Sequence, residues 1–327
     1  MSLSYKDVRN QSRQVWGQFG DKLWLPNAKK NAQLKYKDCR ELHNSKIGKF
    51  SVLSAMGESL EANIDTLKKY RDRYEITVCD KGFGALLEHG IKADYVILCD
   101  ASIPFKWLDK YVNETDGVSL MATAYANPEW THAWKGDKYF YVNKDAIGTE
   151  VNFTPIFGDK IRIMPAGSNV SNAMVIFWTG CDEKTAANWS GYEKYLLVGY
   201  DYSWTPKGNY YAWNNPTPKR YYMHHRTMLD INGDRCFTSE NLLFSAKWLM
   251  QYLTSFNLPA VNCSGRGILD CRYKRELYDE LENINKDHKA MQICREWFDK
   301  IKTHTKELAE ARNGFTKSRE DLIYGTR

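Results

Sequence analysis

Serine, glycine and aspartate residues stand at the ends of three apolar runs between residues 50 and 103, and these residue types suit nucleotide binding. Glycine-turn N–H groups and serine hydroxyls donate hydrogen bonds to phosphate, and carboxylates accept them from ribose hydroxyls. The predicted nucleotide-binding residues in this stretch are Ser54, Gly57, Ser59, Asp80 and Asp100.

A second set of such residues surrounds a predicted helix. Gly167, Ser168 and Asn169 come just before the apolar segment 170–180. A helix N-terminus presents unpaired N–H groups and the positive end of the helix dipole, which favours phosphate, although ordinary capping is the alternative. Asp201 follows the next apolar run, and we predict that its carboxylate is catalytic and shares a sheet edge with the two earlier carboxylates.

Two neighbouring histidines, His224 and His225, are the candidate catalytic bases. Imidazole titrates near neutral pH, so it can take a proton from an acceptor hydroxyl. The alternative is that both are surface residues of an aromatic loop. Arg266 stands between two glycines after a predicted strand, where it is a candidate phosphate ligand or else a surface residue.

Strand-like apolar runs alternate with helical segments over most of residues 46–265. Repeated strand–helix–strand units predict a parallel sheet, and ligands of such sheets bind beyond the carboxyl ends of the strands. We therefore predict an α/β fold with a Rossmann-like, mostly parallel sheet and flanking helices. The predicted strands are 50–56, 75–79, 94–99, 119–124, 160–164, 194–200 and 259–263.

The connections between the predicted strands are of two kinds. Apolar residues recur at helical spacing over 58–74, with Ser59 placed to cap the helix, and over 81–90, with Gly90 placed to end it. In contrast, 125–158 and 201–226 are aromatic and irregular. Long segments of that kind are expected to be functional loops.

Composition divides the chain into three parts. We predict a polar N-terminal helix and arm over 1–45, a catalytic domain over 46–268 and a charged, helical C-terminal extension over 269–327.

The totals are those of an ordinary globular protein, and they permit an anionic ligand. Its 327 residues are 43% hydrophobic and 26% charged, and the formal net charge is +6. A modest positive charge permits a nucleotide substrate without requiring nucleic acid. The eight cysteines form no CxxC pair, no signal peptide is recognisable and no apolar run could span a membrane. We expect a cytoplasmic protein with reduced thiols.

The order of these residues resembles the MptE-like and motility accessory factor (Maf) family over roughly residues 50–268. The shared order carries the resemblance rather than any single element. The matching elements are Gly57-Glu58-Ser59-Leu60, Asp80, Leu86, Gly90-Ile91, Asp94-Tyr95-Val96, Asp100, Gly167-Ser168-Asn169-Val170, Gly180-Cys181, Leu197-Val198-Gly199-Tyr200-Asp201, Asn232-Gly233, Thr238-Ser239 and Asn262-Cys263-Ser264.

The resemblance implies a transferase, with two activities in the family. One branch transfers diphosphate from ATP to 6-hydroxymethyl-dihydropterin. The other is linked to the transfer of nonulosonic sugars, and its fold is similar to that of sialyltransferases that use CMP-sugars. The first branch carries paired acidic residues after the third strand, suited to Mg²⁺ on a polyphosphate, whereas this chain has only Asp100 there.

The sequence therefore favours a glycosyltransferase-like enzyme with a nucleotide-sugar donor of the CMP-sugar type and with no metal ligands assigned. A diphosphokinase that uses ATP and Mg²⁺ is the alternative, and an inactive nucleotide-binding or assembly protein is the third possibility. The acceptor stays open among glycan, protein and nucleic acid. A second departure from the family is Glu58, whose charge is unfavourable near phosphate unless it points away or binds a metal.

Overall fold

The computed structural model describes residues 17–143, 149–165, 169–180, 188–206, 208–213 and 225–284. The chain divides into two compact units, Met1–Leu281 and Glu282–Arg327, and the description below concerns the first. Gly167, Ser168 and His224 lie outside the described residues. The predicted boundaries at 45/46 and 268/269 stay predictions.

The centre of the first unit is an eight-stranded sheet in which every neighbouring pair of strands is parallel. The strand order is β10-β7-β1-β2-β3-β4-β5-β6, which confirms the predicted α/β fold. A separate antiparallel hairpin is formed by β8 and β9. The strands are β1 Phe50–Ser54, β2 Glu75–Cys79, β3 Tyr95–Leu98, β4 Ser119–Thr123, β5 Lys138–Asn143, β6 Arg162–Met164, β7 Lys194–Val198, β8 Arg226–Leu229, β9 Arg235–Thr238 and β10 Ala260–Asn262.

The central strands are buried along most of their length because helices cover both faces of such a sheet. All five residues of β1 are buried, as are four of the five in β7. Polar side chains inside this layer need partners, and Thr77 of β2 accepts a hydrogen bond from the indole N–H of Trp178 at 2.8 Å. The helices are α1 Leu25–Asn31, α2 Leu60–Lys69, α3 Asp80–Glu88, α4 Pro128–Ala133, α5 Thr149–Phe157, α6 Val170–Thr179 and α7 Glu240–Ser255, and a further helix begins at residue 277.

Helices α2 and α3 confirm the two predicted between the first three strands. Gly90 has φ +74°, and its N–H donates to the carbonyl of Leu87. The N–H of Ile91 donates to the carbonyl of Leu86. This is the glycine-dependent helix end that the sequence predicts. The prediction that the Ser59 side chain caps α2 is wrong. This side chain makes no cap hydrogen bond, and its hydroxyl donates to Asp201 instead.

The prediction that 125–158 is an irregular loop is also wrong. This segment forms α4, β5 and α5, and β5 completes the sheet between β4 and β6. Its aromatic residues Tyr139, Phe140 and Tyr141 are buried strand residues rather than the lining of a loop. Aromatic side chains favour strands, and here the strand pattern outweighs the neighbouring turn signals.

Helix α1 attaches the N-terminal segment to the carboxyl edge of the sheet. The amide of Asn27 donates to the carbonyls of Ala101 and Tyr125, and that of Asn31 to the carbonyls of Ala124 and Ala126. Both asparagines are buried, so these hydrogen bonds fix the loops that follow β3 and β4. No helix within the described ranges is long and apolar enough to cross a membrane.

Candidate functional site

The strand order of the sheet reverses at β1, which lies between β2 and β7. From β1 the chain builds the sheet towards β6, then returns to add β7 and β10 on the other side. A crevice forms beyond the carboxyl ends of the strands at such a switch point, where ligands of open α/β sheets bind. A cavity of about 450 Å³ lies there, lined by residues that follow β1, β2, β3 and β7 and by the N-terminus of α6.

The turn after β1 packs tightly against the end of β7. The N–H of Gly57 donates to the carbonyl of Gly199 at 2.9 Å. A Cβ atom on Gly57 would lie 2.5 Å from that oxygen and 2.7 Å from the carboxyl carbon of Asp201, so glycine is required by close approach. Gly199 itself has φ +73°, a conformation that also favours glycine.

Asp201 is buried behind this turn and binds Ser59. The backbone N–H of Ser59 donates to Asp201 Oδ2 at 2.8 Å, and the Ser59 hydroxyl donates to Oδ1. Burial raises the pKa of Asp201 to about 7, although the hydrogen bonds from Ser59 and the charge of Arg266 oppose the shift. Asp201 is not among the described residues that line the cavity, and its predicted catalytic role stays a prediction.

Glu58 points away from the cavity, which removes the electrostatic objection to phosphate there. Its carboxylate accepts hydrogen bonds from the N–H and hydroxyl of Thr205 at 3.2 Å and 3.1 Å, and it forms an ion pair with Arg266 at 3.4 Å. Both charged residues line a separate small pocket of about 20 Å³. Arg266 is thus placed beside Glu58 rather than in the main cavity.

Asp80 and Asp100, predicted from the ends of β2 and β3, both line the cavity. Asp80 Oδ1 accepts the N–H of Lys81 at 2.6 Å, and Asp100 Oδ1 accepts the N–H and hydroxyl of Ser102 at 2.8 Å and 3.0 Å. Burial raises the pKa of Asp80 to about 6, with a smaller contribution in the same direction from the charge of Asp100. A carboxyl group with such a pKa can exchange a proton near neutral pH.

The N-terminus of α6 forms another wall of the cavity through Asn169, Val170 and Ser171. The Asn169 side chain caps the helix by accepting the N–H of Asn172 at 2.9 Å. Tyr200 donates from its hydroxyl to the carbonyl of Ser171 at 3.0 Å, which ties the helix to the end of β7. The positive end of the helix dipole therefore faces the cavity from this side.

Two further predicted residues of the described part, Ser54 and His225, do not line the cavity. Ser54 is fully buried at the end of β1, and its hydroxyl donates to the carbonyl of Ala55 at 3.3 Å. His225 is exposed just before β8, and its ring lies 4.3 Å from that of Phe237. It is not among the residues of the described part that line the cavity.

Four tyrosines also line the cavity, Tyr200, Tyr202, Tyr210 and Tyr211, and the first two of them are not predicted as site residues from the sequence. The first two flank Asp201, whose carboxylate is the group that the sequence predicts to be reactive. The signal available was the alternation Tyr-Asp-Tyr after a strand, in which the tyrosines face one side and the carboxylate the other. The other two come from the predicted aromatic segment 201–226, whose described part reaches the cavity.

A doubly wound parallel sheet with a cavity at its switch point defines an α/β protein of the Rossmann-like class. Within that class, the family model described as "6-hydroxymethylpterin diphosphokinase MptE-like" matches residues 22–207, more than half of the chain. The chain therefore belongs to the MptE-like family, which confirms the resemblance noted in the sequence. A comparison with curated proteins finds no match.

The fold is also similar to a solved structure, the Maf glycosyltransferase from Magnetospirillum magneticum AMB-1. The TM-score is 0.58 at 16% sequence identity, and the match covers 86% of this chain and 44% of that one. The present chain thus corresponds to less than half of that protein, and the likeness is one of fold.

Proposed function

We propose that this protein is a nucleotide-dependent transferase of the glycosyltransferase type, with a nucleotide-sugar donor of the CMP-sugar kind. The observation that carries the proposal is the single cavity at the switch point, which combines the N-terminus of α6 with the carboxylates Asp80 and Asp100. Phosphate is favoured at the helix end, and sugar hydroxyls are favoured at the carboxylates. Family membership and the likeness to a Maf glycosyltransferase support it.

The proposed reaction is a substitution at the sugar. The oxygen of an acceptor hydroxyl forms a bond to the anomeric carbon, while the bond from that carbon to the phosphate oxygen breaks. The electron pair of the broken bond leaves with the nucleotide phosphate, and the hydroxyl proton goes to a base. The site must therefore provide a base and a group that stabilises negative charge on the phosphate.

We assign the base to Asp80 within this proposal. Asp80 lines the cavity and its pKa is raised to about 6 by burial, so its carboxylate is more basic than an exposed one. The earlier candidate His225 is exposed beside Phe237, away from the lining residues. Asp100 is assigned to the hydroxyls of the ribose or donor sugar.

A diphosphokinase that uses ATP and Mg²⁺ is the second candidate, and one observation favours it. The sequence offers a single carboxylate after β3, but the fold adds Asp80 from β2 to the same cavity as Asp100. Mg²⁺ is commonly held by one or two carboxylates together with substrate phosphates, so these two oxygen donors fit the ion. Within the described ranges, no group of three or more His, Cys, Asp and Glu side chains could hold a metal.

Thermal unfolding of the purified chain with CMP, UDP, ATP and 6-hydroxymethylpterin tests the proposal. A nucleotide at one hundred times its Kd adds about 2.7 kcal/mol to the free energy of unfolding, which is readily measured. Stabilisation by CMP or UDP without a metal ion supports the glycosyltransferase. Stabilisation by ATP only when Mg²⁺ is present supports the diphosphokinase, and no stabilisation by any nucleotide contradicts both.

A further inference from the structure

Lys81 occupies a position from which it can contact a ligand of the cavity. It is the second residue of α3, directly after Asp80, and it lines the cavity. Among the lining residues in the described part of the chain it is the only one with a cationic side chain. The other cation considered for this role, Arg266, pairs with Glu58 in the small pocket.

Aromatic rings hold the Lys81 side chain instead of a carboxylate. Its ammonium nitrogen lies 5.4 Å from the ring centroid of Trp107 and 5.1 Å from that of Tyr211. Both distances are within the range of cation–π attraction. The side chain forms no ion pair with the carboxylates of the described residues, in contrast to Lys110, which pairs with Glu88. Within the described ranges, no carboxylate therefore forms a direct ion pair with this ammonium group.

The charges around the cavity are unevenly distributed. Asp80 and Asp100 place negative charge after β2 and β3, which disfavours a phosphate group close to them. The N-terminus of α6 and the Lys81 ammonium are the positive features of the same cavity. A ligand with a phosphate and several hydroxyl groups is thus oriented by the cavity itself.

We propose that Lys81 binds the phosphate of the nucleotide donor, with Trp107 and Tyr211 holding its side chain in place. The ligand class in this inference rests on the proposed function. A lysine ammonium acts on phosphate as a point charge with three donors, and hydrogen bonds between charged groups are the strong ones. When the bond from sugar to phosphate breaks, the same ammonium balances the charge that develops on the phosphate.

The test compares nucleotides with their nucleosides by titration calorimetry. Lys81→Met and Lys81→Gln remove the charge, and Lys81→Arg keeps it. We expect the two neutral variants to bind CMP or UDP about tenfold more weakly than the wild type, while cytidine or uridine binding changes by less than about twofold. Lys81→Arg should retain nucleotide affinity within about threefold. The matched control is Lys106→Met, because the Lys106 ammonium lies 6.0 Å from the same Trp107 ring but does not line the cavity.

Three outcomes would overturn the inference: no loss of nucleotide affinity, an equal loss for nucleoside and nucleotide, or the same loss in the control. In each of them the wild type still binds a nucleotide, so the proposed function stands. The opposite case is that the proposed function is wrong but the phosphate site exists. Titration of pyrophosphate into the wild type and the same variants identifies it. If no nucleotide binds but pyrophosphate binds in a manner that depends on Lys81, the proposed function fails and the phosphate site remains. If neither binds, both are wrong.

Discussion

Ser59 and Asp201, 142 positions apart in the sequence, are joined by two hydrogen bonds that close the turn after β1 onto the end of β7. The Ser59 N–H donates to one carboxyl oxygen at 2.8 Å, and its hydroxyl donates to the other oxygen. Asp201 is only 2% exposed, so water cannot replace either partner. The pair therefore fixes the relative position of the two strand ends that border the cavity.

Removing the Asp201 side chain should destabilise the protein. Asp201→Ala leaves the buried N–H of Ser59 without an acceptor, and such a loss costs about 1–3 kcal/mol. Urea denaturation should show this decrease in the free energy of unfolding. The exposed Asp116→Ala is the control and should change it by less than about 0.5 kcal/mol. Equal stability of the two variants would contradict the role given to the pair.

The stability of the protein should depend on pH through the same carboxyl group. The pKa of Asp201 is raised from 3.8 to about 7 in the folded state, so between these values the folded chain holds a proton that the unfolded chain has released. Its contribution to stability is therefore complete below pH 3.8 and is lost as the pH rises through about 7.

Asp201→Asn isolates this contribution. The asparagine amide resembles the protonated carboxyl group and does not titrate, so the variant should lose stability less steeply than the wild type between pH 4 and 7. Denaturation midpoints measured across this range for both proteins give the difference. Parallel curves would mean that the folded-state pKa of Asp201 is not raised.

Glycine at position 57 should be required for both stability and binding. In Gly57→Ala the added Cβ would approach the carbonyl of Gly199 to 2.5 Å, and the backbone would have to move. We expect a loss of about 1–3 kcal/mol and weaker nucleotide binding, since the turn borders the cavity. Gly17→Ala is the matched control because no atom lies within 4 Å of its Cβ position. A Gly57→Ala protein that unfolds and binds like the control would refute the close packing.

Substitution of the assigned base should separate turnover from binding. Asp80→Asn keeps the size of the side chain and removes its basicity, so we expect kcat to fall by about 10²–10⁴ while nucleotide affinity changes little. His225→Ala should leave kcat within about threefold of the wild type. If instead Asp80→Asn kept the wild-type kcat and His225→Ala were inactive, the histidine and not Asp80 would be the base.

Loss of the Asp100 carboxylate should weaken binding of the sugar part of the ligand. Asp100→Ala removes a cavity-lining acceptor that we assign to ribose or donor-sugar hydroxyls, so nucleoside and nucleotide affinity should fall together, by about tenfold. The exposed Asp109→Ala on the following segment is the control. Unchanged affinity in calorimetry would remove Asp100 from the site.

The sequence predicts the positions of Asp80, Asp100 and Asn169 at the site because each follows or precedes a clear strand or helix. Parallel strands then place these ends at one edge whatever the side-chain detail. The directions in which the side chains of Asp201 and Glu58 point could not be predicted in this way. Their directions depend on long-range partners, Ser59 for one and Thr205 with Arg266 for the other, which local patterns do not contain.

The segment 125–158 shows a different limit of sequence reasoning. Its aromatic residues can line a loop or fill a buried strand, and only the pairing of β5 with β4 and β6 decides between them. Lys81 shows a third limit. It could be placed at the sheet edge, but its contacts with Trp107 and Tyr211 join three separate segments of the chain.

A crystal structure of the protein with its tightest-binding nucleotide tests the central claim most directly. We predict electron density for the nucleotide in the cavity between the ends of β1 and β7, with the phosphate near Lys81 and the N-terminus of α6 and the ribose near Asp100. Density for the nucleotide at another surface, with this cavity filled only by water, would contradict the account.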